Sequence, residues 1–138
     1  MRLRVKARSI VVVGTMLVTF LVVSCVREVE TLRIGEVVNR RSELSGTWVR
    51  VRGFVVVDAL DYPNFVEQIG PPSELLLTKS IDLVPGNPGL ERELLRSNGA
   101  CIIASGIFHL YGPNEVHLGN LVSDYGQLQL TSLHKCAG

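Results

Sequence analysis

The sequence predicts a small all-β barrel carrying one or two short helices. Three observations support this. Residues 47–58 (TWVRVRGFVVVD) alternate cleanly between two faces, as a half-buried strand must. A second segment, residues 100–109 (ACIIASGIFH), repeats the pattern of alternating small apolar residues followed two positions later by glycine. Between the third and fourth strand signals lies a single well-capped helix signal, residues 87–99. Five strands and one intervening helix fit one core of about a hundred residues.

The N-terminus is built differently. Arg2, Arg4, Lys6 and Arg8 come with no acidic residue, and an apolar run from Ile10 to Val23 follows. A basic region, a short apolar stretch and a small-residue site form a secretory signal over residues 1–24. The run is short for a membrane span, which needs about 20 apolar residues. The stretch Val22-Val23-Ser24-Cys25 resembles the lipobox of bacterial lipoproteins. That resemblance implies cleavage before Cys25, diacylglycerol on its thiol and acylation (palmitate) of the new N-terminus. It also implies a membrane-anchored, extracytoplasmic protein. Val26, not Asp, follows Cys25, which by the family pattern implies the periplasmic leaflet of the outer membrane in a diderm host. In a monoderm host the address is the outer face of the only membrane.

Removal of residues 1–24 leaves 114 residues with 10 basic against 13 acidic side chains. The formal charge of −3 disfavours nucleic acid as a partner, because polyanion binders carry a basic excess. Residues 25–33 are short and mostly polar and read as a lipidated tether. Residues 26–33 span at most about 28 Å, so the domain of residues 34–138 sits close to the bilayer.

Within that domain Ile34, Val37 and Val38 share one helical face, and Gly46 is a plausible stop. The strand of residues 47–58 points Val49, Val51, Val55 and Val57 one way. It points Trp48, Arg50, Arg52, Phe54 and Val56 the other, and Gly53 marks a bulge or bend. Residues 59–72 hold three prolines and read as a long connection, a length that is often functional. Residues 74–79 and 80–84 read as two short strands or one interrupted strand. Pro85-Gly86-Asn87 makes a turn. Asn87 caps a helix with Pro88 at its first position, Leu90, Leu94 and Leu95 form the buried face, and Gly99 ends it. Residues 126–135 alternate with Leu128 and Leu130 on one face.

The leading helix, Leu44-Ser45-Gly46, Val49-Arg50-Val51-Arg52-Gly53 and Ser105-Gly106, in this element order, resemble small bacterial lipoproteins with an OB-like domain. The resemblance covers about residues 32–133 and implies a five-stranded Greek-key barrel.

Cys101 and Cys136 remain once Cys25 is lipidated, an even number in an oxidising compartment. Cys101 starts the fourth strand and Cys136 lies just past the fifth, so antiparallel neighbours bring them together as a disulfide. The alternative is one thiol buried in a strand and one in a frayed tail.

Domains of the OB type bind with the outer barrel face and its flanking loops. The candidates here are Trp48, Arg50 and Arg52 on the outward strand face, with Tyr62, Phe65 and Tyr111 in loops. Aromatic rings beside arginines can stack on sugars or bases. Packing explains the same residues: Trp48 against the leading helix, Tyr62 and Phe65 plugging a barrel end, and solvated arginines. His109, His117 and His134 match no tight zinc spacing. Asp58, Asp61 and Glu67 fit a solvated loop better than a catalytic pair, and no Ser/His/Asp triad or phosphate loop is legible. The sequence thus predicts a lipid-anchored envelope binding or assembly module, not an enzyme, without cofactor or metal. Its expected partners are the membrane, through the lipid, and an envelope protein, peptide or glycan. The rival reading is an envelope enzyme or metal protein using His109, His117 and the loop acids.

Overall fold

The computed structural model describes residues 28–70, 79–113 and 124–138. Residues 1–24, read above as a secretory signal, Cys25, most of the strand read at 74–79, Asn114 and His117 lie outside the described residues.

The chain enters the sheet at Thr31–Arg33 (β1) and continues through helices Ile34–Asn39 (α1) and Arg41–Leu44 (α2). Strands Trp48–Val57 (β2), Pro63–Val66 (β3) and Ser80–Pro85 (β4) follow. Helix Pro88–Arg96 (α3) then leads to Cys101–Leu110 (β5) and Asp124–Lys135 (β6). The strand order is β1-β2-β3-β4-β6-β5, and β2 also pairs with β5. That second pairing closes β2, β3, β4, β6 and β5 into a five-stranded barrel. β4 and β6 run parallel, while the β2–β3, β3–β4, β5–β6 and β2–β5 pairs are antiparallel. With α3 between the third and fourth barrel strands, this is the OB-like arrangement.

The interior follows the alternation of β2. Val49, Val51 and Val55 are buried with Ile81, Leu83, Ile102, Ala104, Phe108, Leu128 and Leu130. Ile34, Val37 and Val38 of α1 and Leu44 of α2 join the same core. In α3 Asn87 is the N-cap and its side chain accepts from Leu90 N at 2.9 Å. Leu94 is fully buried there, but Leu95 is 39% exposed. Leu90 and Leu94, four residues apart, share a face that Leu95 turns away from, so the expected three-leucine face is narrower than the sequence reading had it.

Three further features differ from that reading. Residues 31–33, assigned to the tether, pair in parallel with β2, Leu32 opposite Val51, and Leu32 is buried. A single apolar residue between two polar ones is a strand only when a neighbour is there to receive it. The supposed long connection after β2 is interrupted by β3. Its proline opens the strand, the position where the missing N–H costs least, and the loop between β2 and β3 is a tight turn. In that turn Asp58 Oδ1 accepts from Leu60 N and Tyr62 N, and Asp61 adopts φ 61°.

Two of the strand glycines, Gly53 and Gly106, do different things. A Cβ on Gly53 would lie 2.8 Å from Phe65 Cε2, so Gly53 is the seat of the Phe65 ring and not a bulge. A Cβ on Gly106 would lie 2.0 Å from the Gln129 carbonyl oxygen, where the β5–β6 register shifts between Ser105 and Gly106. Thr131 is the extra residue, and its Oγ1 donates to Ser105 O at 3.0 Å. One inserted residue flips the faces. Leu128 and Leu130 therefore point inward before the shift and Leu133 after it.

Candidate binding surface

The outer face of β2 is assembled with its three strand neighbours. Thr31 stands opposite Arg50 and Arg33 opposite Arg52 on the β1 side. Phe54 stands opposite Cys101 on β5 and opposite Val66 at the end of β3. Arg33, Arg52, Phe54, Glu67, Gln68 and Cys101 thereby line an open cavity of about 310 Å³. Cys101 on its wall is joined to Cys136 in a disulfide, with Cα atoms 5.5 Å apart, and Cys136 N donates to Cys101 O at 3.1 Å. This is the pairing expected from the strand ends, and it takes both sulfurs away from any metal.

Arg33 and Arg52 are like charges directly across a strand pair, an arrangement that is destabilising in itself. Among the described residues the ion pair is Arg40–Glu43 at 2.8 Å; Arg33, Arg50 and Arg52 form none with a described acid. Glu67 lines the same cavity. Two planar guanidinium forks beside an aromatic ring suit a carboxylate or phosphate carried on a flat body.

The remaining sequence candidates are not brought to this cavity. Trp48 opens β2 and is 45% exposed. Tyr62 sits past the other end of β2, where its carbonyl accepts from Asp58 N. Phe65 is fully buried in the barrel core. Its assignment as a ligand-binding residue is thus corrected: the ring fills the space above Gly53 and offers no face to a ligand. Tyr111 follows β5, and its hydroxyl donates to Asp82 Oδ2. Asp82 is buried, and it stands opposite the buried Asn64 on β3. Asn64 Nδ2 in turn donates to Tyr62 O at 3.2 Å. Tyr111 is therefore held by a structural partner.

The polar residues considered for chemistry are likewise dispersed. Asp58 is engaged in its turn, and Glu67 lies beyond β3. His109 stands opposite Gln127 and His134 opposite Ile103, at different ends of the β5–β6 ladder. Among the described residues no group of three His, Cys, Asp or Glu side chains is placed to hold a metal ion.

Arg33, Phe54 and Gln68 were missed as site residues. Phe54 was legible, since the alternation already set it outward beside the arginines. Arg33 was hidden by the tether assignment, and Gln68 belongs to a loop whose position depends on β3.

No family model matches the chain, and no curated protein is similar to it. Among solved structures it is similar to a protein assigned as aspartyl-tRNA synthetase from Leishmania major Friedlin. The identity is 11% over 81% of this chain and 21% of that one, with a TM-score of 0.49. It is also similar to Entamoeba histolytica asparaginyl-tRNA synthetase, at 13% identity over 79% of this chain and 24% of that one, with a TM-score of 0.44. The same enzyme in complex with asparaginyl-adenylate gives 12% identity over 78% of this chain and 24% of that one, with a TM-score of 0.43. The chain spans a fifth to a quarter of the length of these structures.

Proposed function

We propose that the protein is a lipid-anchored binding module of the cell envelope that acts without catalysis. In this reading it engages an envelope partner presenting an anionic group to the outer face of β2. The observation that supports this most directly is the Arg33–Arg52 pair, placed in register beside Phe54 in an open cavity. The anchor is supported by the basic residues 2–8, the apolar run 10–23 and the Val22–Cys25 stretch. The net negative charge after residue 24 supports a protein or glycan partner over nucleic acid. Two or more acyl chains would make attachment stable, where one holds only marginally.

Two measurements test the two halves of the reading. Detergent partitioning separates the wild type from Cys25→Ala; equal recovery of both in the aqueous phase overturns the anchor. A photo-crosslinker replacing Gln68, compared with one replacing Arg92 on α3, tests the binding face in intact cells. The expected result is a discrete adduct from position 68 that disappears in Arg33→Ala/Arg52→Ala. The same adduct from position 92, or its survival in the double variant, overturns the face.

A further inference from the structure

The end of the barrel where the chain comes in from its N-terminus carries an apolar row that the binding cavity does not use. β1 runs parallel to β2 with Thr31 opposite Arg50. Val29 precedes β1 by two residues, at the end of the sheet where Trp48 opens β2. On its other side Trp48 stands opposite Ile107 of β5. Trp48 and Ile107 thus form an apolar row on the outer face, with Val29 just before β1 at the same end. Val29 is 48% and Trp48 45% exposed, and Ile107 is half-buried. At the same end the Arg41 guanidinium lies over the Tyr125 ring, 5.5 Å from its centroid.

We propose that this row docks on the surface of the bilayer that holds the protein, with the Trp48 indole seated in the headgroup layer. The inference rests on the lipid-anchor reading above. Tryptophan and tyrosine favour the membrane–water interface, where an apolar ring and a polar N–H or O–H are both accommodated. The tether decides which surface is within reach. Four residue steps separate Cys25 from Val29, so they span at most about 14 Å. The headgroup layer on each side of a bilayer is several ångströms deep. A lipid held at Cys25 therefore keeps Val29 within about 14 Å of the anchored residue, near enough for Val29 and Trp48 to reach that layer. The charges nearby are mixed, Glu28, Glu30 and Glu43 against Arg40, Arg41 and Arg50. Docking is thus apolar in origin and independent of anionic lipid. It leaves the Arg33–Arg52 cavity, further along β1 and β2, open to a partner.

The chain carries a single tryptophan, so its fluorescence reports this site alone. The acylated mature protein is reconstituted into phosphatidylcholine vesicles, and acylation of Cys25 is checked by mass spectrometry. The expected result is a blue-shifted emission and quenching by lipids brominated near the headgroup. Acrylamide quenching should fall relative to the unacylated domain, as for an indole moved from water to the interface. A second reporter, Trp48→Phe/Leu60→Trp, places the indole in the β2–β3 turn and should show none of these changes. An acylated protein that floats with the vesicles while Trp48 stays open to acrylamide and unquenched by lipid bromine overturns the docking face and leaves the anchor standing. A chain that is not acylated and does not float overturns the anchor, and the docking face with it. Protection of Trp48 that grows with protein concentration without vesicles assigns the row to a second copy and overturns the membrane assignment.

Discussion

Val49, Val51 and Val55 on β2 are closed off from water, whereas Trp48 and Arg52 on the same strand stand open to it. The two faces are one residue apart in the chain and obey different physics. The inner face meets β3, β4, β5 and β6 and admits only apolar groups that fit. The outer face is turned to solvent, and its residues are tolerated by the fold without being required by it. Arg33 and Arg52 in register show the difference plainly: packing does not ask for two like charges there. The inner face therefore carries the architecture and the outer face the candidate function.

The strongest way to break this contrast is a charge on each face in turn. Val51→Asp places an unpaired carboxylate in the core, a cost of several kcal/mol against a total stability of about 5–15 kcal/mol. It should abolish cooperative unfolding. Arg50→Ala should stay within about 0.5 kcal/mol of wild type. Similar melting curves for the two variants would mean that the faces are exchanged.

The next largest effect lies on the outer face but works through chain entropy. Cys101 and Cys136 close a loop of 35 residues, which corresponds to about 3–4 kcal/mol in the chain-entropy model. The Cys101→Ala/Cys136→Ala variant should remain folded with a denaturation midpoint lowered accordingly. An unchanged midpoint would show that the sheet holds the C-terminal tail unaided. A smaller loss, about 1 kcal/mol, is expected from Asn87→Ala, which removes the α3 cap while leaving both faces of β2 intact. Urea titration distinguishes it from the disulfide variant.

The smallest effect belongs to the exposed Arg40–Glu43 pair. Its hydrogen bond and charge attraction hold the Glu43 carboxyl below its ordinary range and raise Arg40. A depressed carboxylate stabilises the fold above the unfolded carboxylate range and loses that contribution as pH falls through its folded value. Arg40→Ala should therefore slightly flatten the acid side of the stability–pH profile and do nothing at neutral to basic pH beyond a minor offset. High salt should erase the difference. A loss as large as that of Asn87→Ala would show the pair to be part of the fold's framework.

The parts legible in advance are those set by neighbours in the chain. The alternation of residues 47–58, the Asn87 cap and the inward Leu128 and Leu130 depend on local period and turn chemistry, and the structure has each of them. The outward position of Arg50, Arg52 and Phe54 follows from the same period. The site as a whole was not legible, because its cavity needs Arg33 from a strand hidden in an apparent tether and Gln68 from the far side of β3.

Local sequence determined where most strands and helices run and which face of β2 is apolar. It also indicated that two cysteines would lie at neighbouring strand ends. Tertiary structure decided what has no local signature. β1 exists because β2 offers a free edge to Leu32. Phe65 is core and not ligand platform because Gly53, twelve residues earlier on another strand, leaves room for its ring. The inward turn of Leu133 depends on a register shift opposite Gly106. Each of these is a pairing between distant segments, and the free energy that selects it comes from closing the barrel as a unit, which no short stretch of the chain encodes on its own.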